Sequence, residues 1–131
     1  MLASTVFCDD IRIENSGKHI IVGAYPSGIA HPGGLPDTVE FMVWLQIFGL
    51  PLGKRHLEFA LVPPGGREVL FSSEAGVNVD WLPVTAPLGP FSIPIEKFGD
   101  IEAYVSVDGG PRVKVGALNI NPPIHPDSIS A

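Results

Sequence analysis

The chain has 131 residues, 45% of them hydrophobic and 17% charged, which excludes a disordered segment and is enough for one sizeable core. Its 14 acidic and 8 basic residues leave a net charge of −6, with Lys and Arg scattered, so neither nucleic acid nor an anionic membrane is expected as a partner. No apolar run reaches the ~18 residues a membrane-spanning helix needs, and one cysteine cannot close an internal disulfide.

The first predicted strand covers residues 4–14. The turn Asn15-Ser16-Gly17 leads into a second at 18–25, and two β-rich runs about such a turn read as a hairpin. Residues 26–37 form a Pro/Gly loop. The third strand, 38–48, puts Val39, Phe41, Val43, Leu45 and Ile47 on one face. Its other face carries Met42, Trp44 and Phe48 with Glu40 and Gln46, so it is expected to be central and covered on both sides. A loop at 49–53 precedes a strand at 54–62, where Leu57, Phe59 and Leu61 alternate with His56, Glu58 and Ala60. The turn Pro63-Pro64-Gly65-Gly66 is followed by a short strand at 68–71.

Residues 72–90 carry Pro83, Pro87 and Pro90, which confine them to edge strand or loop. A short strand at 91–95 and a helical turn at 96–98 come next. Strands at 100–107 and 112–120 form a last hairpin about Asp108-Gly109-Gly110-Pro111, with Val107 opposite Val113 and Val105 opposite Val115. The prolines of Asn121-Pro122-Pro123-Ile124-His125-Pro126 predict an extended arm over 121–131, outside a single domain of residues 1–120. Gly and Pro, 15 and 14 in number, fall between apolar runs as turns do. The predicted fold is all-β with little or no helix: a two-sheet antiparallel β-sandwich, immunoglobulin- or C2-like, of about seven to nine strands, with a closed barrel as the alternative.

Residues suited to chemistry are few. Cys8-Asp9-Asp10 is the sharpest cluster, but adjacent residues of a strand face opposite ways, so the two carboxylates cannot chelate together without a bulge. Cys8 reads as a small buried filler. His19, His31, His56 and His125 lack metal-ligand spacing. There is no G-x-S-x-G elbow, and Asp108-Gly109-Gly110 sits between strands as a turn and not in a calcium loop. No catalytic residue, metal or cofactor is therefore expected. Trp44 reads as core, whereas Trp81 with Asp80, in the irregular region, reads as a surface contact.

Phe7, Cys8, Asp9, Asp10, Ile11, Arg12 and Glu14, then Gly17-Lys18, then Gly23 and Tyr25, match a pattern F-C-D-D-I-R-x-E, G-K, G-x-Y. In these residues the chain resembles a family of uncharacterised bacterial β-sandwich proteins of similar length. The resemblance is dense over about 20 residues; it implies a small bacterial or phage-encoded sandwich and carries no activity. The expected function is a non-enzymatic interaction or structural module, for instance a self-assembling or phage-particle component. It would act through sheet edges, the loops at 26–37 and 49–53, Trp81 and Asp80, and the arm residues Pro122, Pro123, Ile124 and His125. A small-molecule, carbohydrate or calcium-binding sandwich is the alternative. With no basic residue ahead of Asp9 and Asp10, no signal peptide is expected, and the predicted location is the cytoplasm or a particle made there.

Overall fold

The computed structural model describes residues 1–123. Nine strands make up its regular structure: β1 (Leu2–Ile13), β2 (His19–Ala24), β3 (Gly28–Ala30), β4 (Asp37–Phe48), β5 (Gly53–Val62), β6 (Val69–Val77), β7 (Val84–Ile95), β8 (Gly99–Val107) and β9 (Val113–Asn121). No helix occurs among the described residues, and the helical turn expected at 96–98 is a bend. Two strands are longer than the sequence indicates. β6 runs on from Phe71 to Val77, and β7 begins at Val84, before Pro87 and Pro90. Prolines are tolerated in β7 because it is an edge, where a missing N–H leaves no partner unpaired.

The strands form two sheets, ordered β2-β1-β4-β7 and β3-β9-β8-β5-β6. β4 is central in the first, as its two apolar faces require. Antiparallel pairing throughout is not what forms: β3, inside the predicted Pro/Gly loop, pairs parallel to β9 from Gly28↔Asn119 to Ala30↔Asn121. Three residues between prolines give too short a run for alternation to reveal. β9 also runs to Asn121, one residue beyond the expected domain boundary.

One core draws on both sheets. Val39, Phe41, Val43, Leu45 and Ile47 of β4 are buried with Leu57, Phe59 and Leu61 of β5 and Ile101, Ala103 and Val105 of β8. Alternation makes this possible, since every second side chain points inward. Phe7, Phe41 and Phe91 from the first sheet and Phe59 from the second form a chain of ring contacts, with centroids 5.7, 6.1 and 6.0 Å apart. Edge-to-face and offset pairs of this kind add about 0.5–1.5 kcal/mol each beyond area burial.

The last hairpin departs from its expected register. Val105 pairs with Val113, not Val115, and the ladder shifts between Ala103 and Tyr104. Tyr104 meets Lys114 and Ala103 meets Gly116, so Val115 is the extra residue of a bulge. The freed Val115 carbonyl accepts a hydrogen bond from Thr5 Oγ1 at 3.1 Å, which ties β9 to β1 of the other sheet. Beyond the bulge the inward parity of β9 changes. Leu118 and Ile120 are buried while Ala117 is exposed, although period-two counting from Val113 and Val115 would turn Ala117 inward. The turn is also longer than the strand pattern indicates, because Ser106 Oγ donates to the Gly110 carbonyl at 2.9 Å and Asp108 adopts φ 50°.

The β1–β2 hairpin folds back over the outer face of the first sheet. Pairing of β1 with β4 stops at Cys8↔Met42, and beyond it β1 pairs with β2. His19 Nδ1 accepts a hydrogen bond from Trp44 Nε1 at 3.0 Å. Along a straight β1 the two would be seven residues apart, about 23 Å at ~3.3 Å per residue, beyond the reach of both side chains. Trp44, expected in the core, therefore lies on the outer face of β4, half-buried beneath the hairpin.

Candidate functional site

The ends of β4 and β6 and the starts of β1, β5 and β7 meet at one end of the molecule. Leu2 pairs with Phe48, Ile47 with Val84 and Gly53 with Val77, and four residues connect Phe48 to Gly53. This end is apolar. Met1, Leu2, Phe48, Leu52, Val79 and Leu82 are exposed there, and Trp81 is 74% exposed at the tip of the β6–β7 loop. Scattered single apolar residues on a surface need no explanation, but exposed apolar residues gathered at one end are a candidate interaction site.

Side-chain contacts hold the β4–β5 part of the group in place. Leu50, in the β4–β5 loop, is buried and anchors that loop. Arg55 Nη2 donates to the Leu52 carbonyl at 2.8 Å, and Nη1 donates to Asp108 at 2.9 Å. Asp108 also accepts from the His56 backbone N–H at 2.9 Å. These partners hold its carboxyl below the usual range, with the His56 N–H first and the Arg55 guanidinium second. The tie links the β4–β5 loop to the β8–β9 turn. Asp80, beside Trp81, is exposed.

A cleft of about 370 Å³ adjoins this end, between the edges of β6 and β7. Leu45, Leu57, Phe59, Leu88 and Val105 line it, with Ser73 and Glu74 among its polar groups. It exists because the positions facing across it are small: Ser73 and Ala75 on β6, Ala86 on β7. Its volume falls within the range of small-molecule pockets. A hollow of about 250 Å³ under Val79 and Leu82 shares Gly76, Pro83 and Val84 with it.

The N-terminal cluster forms no reactive centre. Asp9 accepts a hydrogen bond from Tyr25 Oη across Gly23, and a Cβ at Gly23 would run into the Asp9 carboxylate. That bond to Asp9 and partial burial push the Tyr25 hydroxyl up to about 12. Asp10 turns away, accepting from the Ile11 N–H at 2.9 Å and lying 3.5 Å from Arg12. Cys8 is fully buried with its thiol directed at the Met42 carbonyl, 3.7 Å away. Burial raises its pKa, and Asp9 and Asp10 raise it further. His19 is bonded to Trp44, and His31 Nε2 lies 3.0 Å from Asp37. Among the described residues no three of His, Cys, Asp and Glu gather as a metal site.

Pro122 and Pro123 follow β9 and are exposed at the opposite end from Trp81, where Gly99 pairs with Ile120 and Leu61 with Val69. The structure thus keeps Asp80 and Trp81 together and separates them from Pro122 and Pro123. Ile124 and His125 lie outside the described residues. Sequence reasoning missed Met1, Leu2, Phe48, Leu52, Val79 and Leu82 as companions of Trp81, because they gather through strand pairing and not through spacing. Comparison with protein-family models and with curated proteins finds no match. No helix among the described residues is long and apolar enough to cross a membrane.

Proposed function

We propose that this chain is a non-enzymatic docking module that binds a protein partner through the apolar end around Trp81. The observation that carries the reading is the gathering of Met1, Leu2, Phe48, Leu52, Val79, Trp81 and Leu82, all exposed, at one end. Aromatic anchors of this kind dominate binding when a partner desolvates them. The scarcity of basic side chains in a chain of charge −6 favours a protein over an anionic lipid surface. The two sheets and their shared core support an immunoglobulin- or C2-like sandwich as scaffold. The resemblance of residues 7–25 supports a bacterial or phage-encoded member of such a group, working in the cytoplasm or in a particle assembled there. Pro122 and Pro123, exposed at the opposite pole, form a second contact element in this reading together with Ile124 and His125.

The test is capture from the cells that make the protein. A tagged chain, cross-linked in place, is expected to bring down a stoichiometric partner identified by mass spectrometry. The double variant Trp81→Ser, Leu82→Ser is expected to lose it with its thermal midpoint unchanged, since exposed substitutions move stability by about 0.5 kcal/mol or less. Equal recovery by both chains, or no partner at all, sinks the reading. The cleft between β6 and β7, whose lining includes neither Asp80 nor Trp81, favours a second one, in which a small apolar ligand or a sugar is held there. A ligand of the native state raises the thermal midpoint, so a melting screen with small apolar molecules and sugars decides it.

A further inference from the structure

We infer that a second copy of this chain pairs with the free edge of β6, antiparallel, about a two-fold axis at Ser73. The inference does not rest on the docking reading, which concerns the end of the molecule and not this edge. β6 has nine residues, pairs on one side with β5, and lies at the rim of its sheet. Its pairing runs from Gly53↔Val77 to Leu61↔Val69 with no register break, so the edge is regular along its whole length. It contains no proline and one charge, Glu74.

The other rims are guarded. β7 carries Pro87, Pro90 and Pro94 and a register shift, β3 has three residues, and β2 belongs to the folded-back hairpin. Proteins protect long regular edges with proline, bulges, short strands or charge unless the edge is used. β6 carries no such guard beyond Glu74, and its apolar Leu70 and Phe71 are 53% and 41% exposed.

The sequence of β6 fits its own reverse. About Ser73, Val69 meets Val77, Leu70 meets Gly76, Phe71 meets Ala75 and Ser72 meets Glu74. Leu70 and Phe71 each face a small residue, Val69 faces Val77, and no like charges stand opposite. Glu74 is already compensated by Lys54 at 2.9 Å. In a chain of charge −6 this strip is close to neutral, so a charged peptide finds little to grip while a second copy meets no repulsion. Two-fold pairing is self-complementary and closes at two copies. It directs the two Trp81 ends to opposite poles, making the dimer a bivalent linker.

Cross-linking tests the register. Residues at the axis have Cα atoms about 4.5–5.5 Å apart, within disulfide reach. Ser73→Cys is therefore expected to give a covalent dimer on mild oxidation. Ser72→Cys, displaced from its own copy to about 8 Å by the antiparallel offset, is expected to give none. Cys8, fully buried, does not compete. Charge tests the facing pair: Ser72→Lys, opposite Glu74, is expected to tighten dimerisation about two- to thirty-fold, and Ser72→Glu to weaken it comparably. Equal cross-linking of both cysteine variants, equal effects of both charges, or a wild-type chain that sediments as a monomer at its highest soluble concentration overturns the inference. Partner capture lost on Trp81→Ser, Leu82→Ser alongside intact Ser73→Cys cross-linking would leave both proposals standing.

Discussion

At the scale of single residues, the seam between the sheets depends on Gly116. A Cβ placed there would sit 2.0 Å from Thr5 Oγ1, the hydroxyl that satisfies the bulged Val115 carbonyl. Gly116→Ala must displace Thr5 and break that bond. We expect a loss of about 1–3 kcal/mol in urea unfolding, with Thr5→Ala costing about 1 kcal/mol. A neutral Gly116→Ala would show that the seam can open without penalty. Asp108 makes a pH-dependent contribution. Its folded pKa lies below the unfolded value of about 3.9, so its stabilisation is present above that pH and is lost as pH falls through the lowered folded value. Asp108→Asn should therefore melt below wild type at neutral pH, and the gap should close as acid protonates the carboxyl. A gap that stays constant with pH would remove the ionised carboxylate from the account. Cys8 could be read as a buried filler because a free cysteine behaves as a small hydrophobe, and it is fully buried. The partner of Asp9 could not be read, since Tyr25 reaches it across the hairpin.

At the scale of elements, β4 follows closely from alternation, and all five of its expected inward residues are buried. Trp44 shows where alternation stops. The pattern gives its face, but what covers that face is a hairpin folded back from elsewhere. His19 and Trp44 make the clamp testable. In a Trp81→Phe background Trp44 is the sole tryptophan, and it is expected to be poorly quenched by acrylamide. Adding His19→Ala should raise quenching and expose the hairpin to protease, with the global midpoint less affected because the core does not include His19. Unchanged quenching would mean the hairpin stays down without the bond. The last hairpin is the clearest misreading of register. Pairing like with like aligned Val105 with Val115, yet the longer turn already sets Val105 against Val113, and the bulge then shifts the partners from Ala103 onward by one.

At the scale of the whole molecule, the apolar end and the β6 edge are separate surfaces on one rigid frame. The C-terminal boundary is set by β9. Asn121 pairs with Ala30, and its carbonyl accepts from the His31 N–H at 2.8 Å. Removing residues 122–131 is expected to leave the thermal midpoint unchanged, whereas removing 119–131 takes away buried Ile120 and should prevent cooperative unfolding. A collapse of the transition on the shorter deletion would show that the core extends past Pro123. If the arm is a contact element, the shorter deletion should instead reduce assembly, read by sedimentation.

The all-β class, the strand faces and most turns could be read from the chain because they depend on neighbours two to four residues apart: alternation, and the φ that Gly, Asn and Pro permit. The parallel strand at Gly28–Ala30, the bulge at Val115, the folded-back hairpin and the apolar end could not. Each is a meeting of segments tens of residues apart, and its energy lies in contacts that exist once the two sheets have closed on a common core.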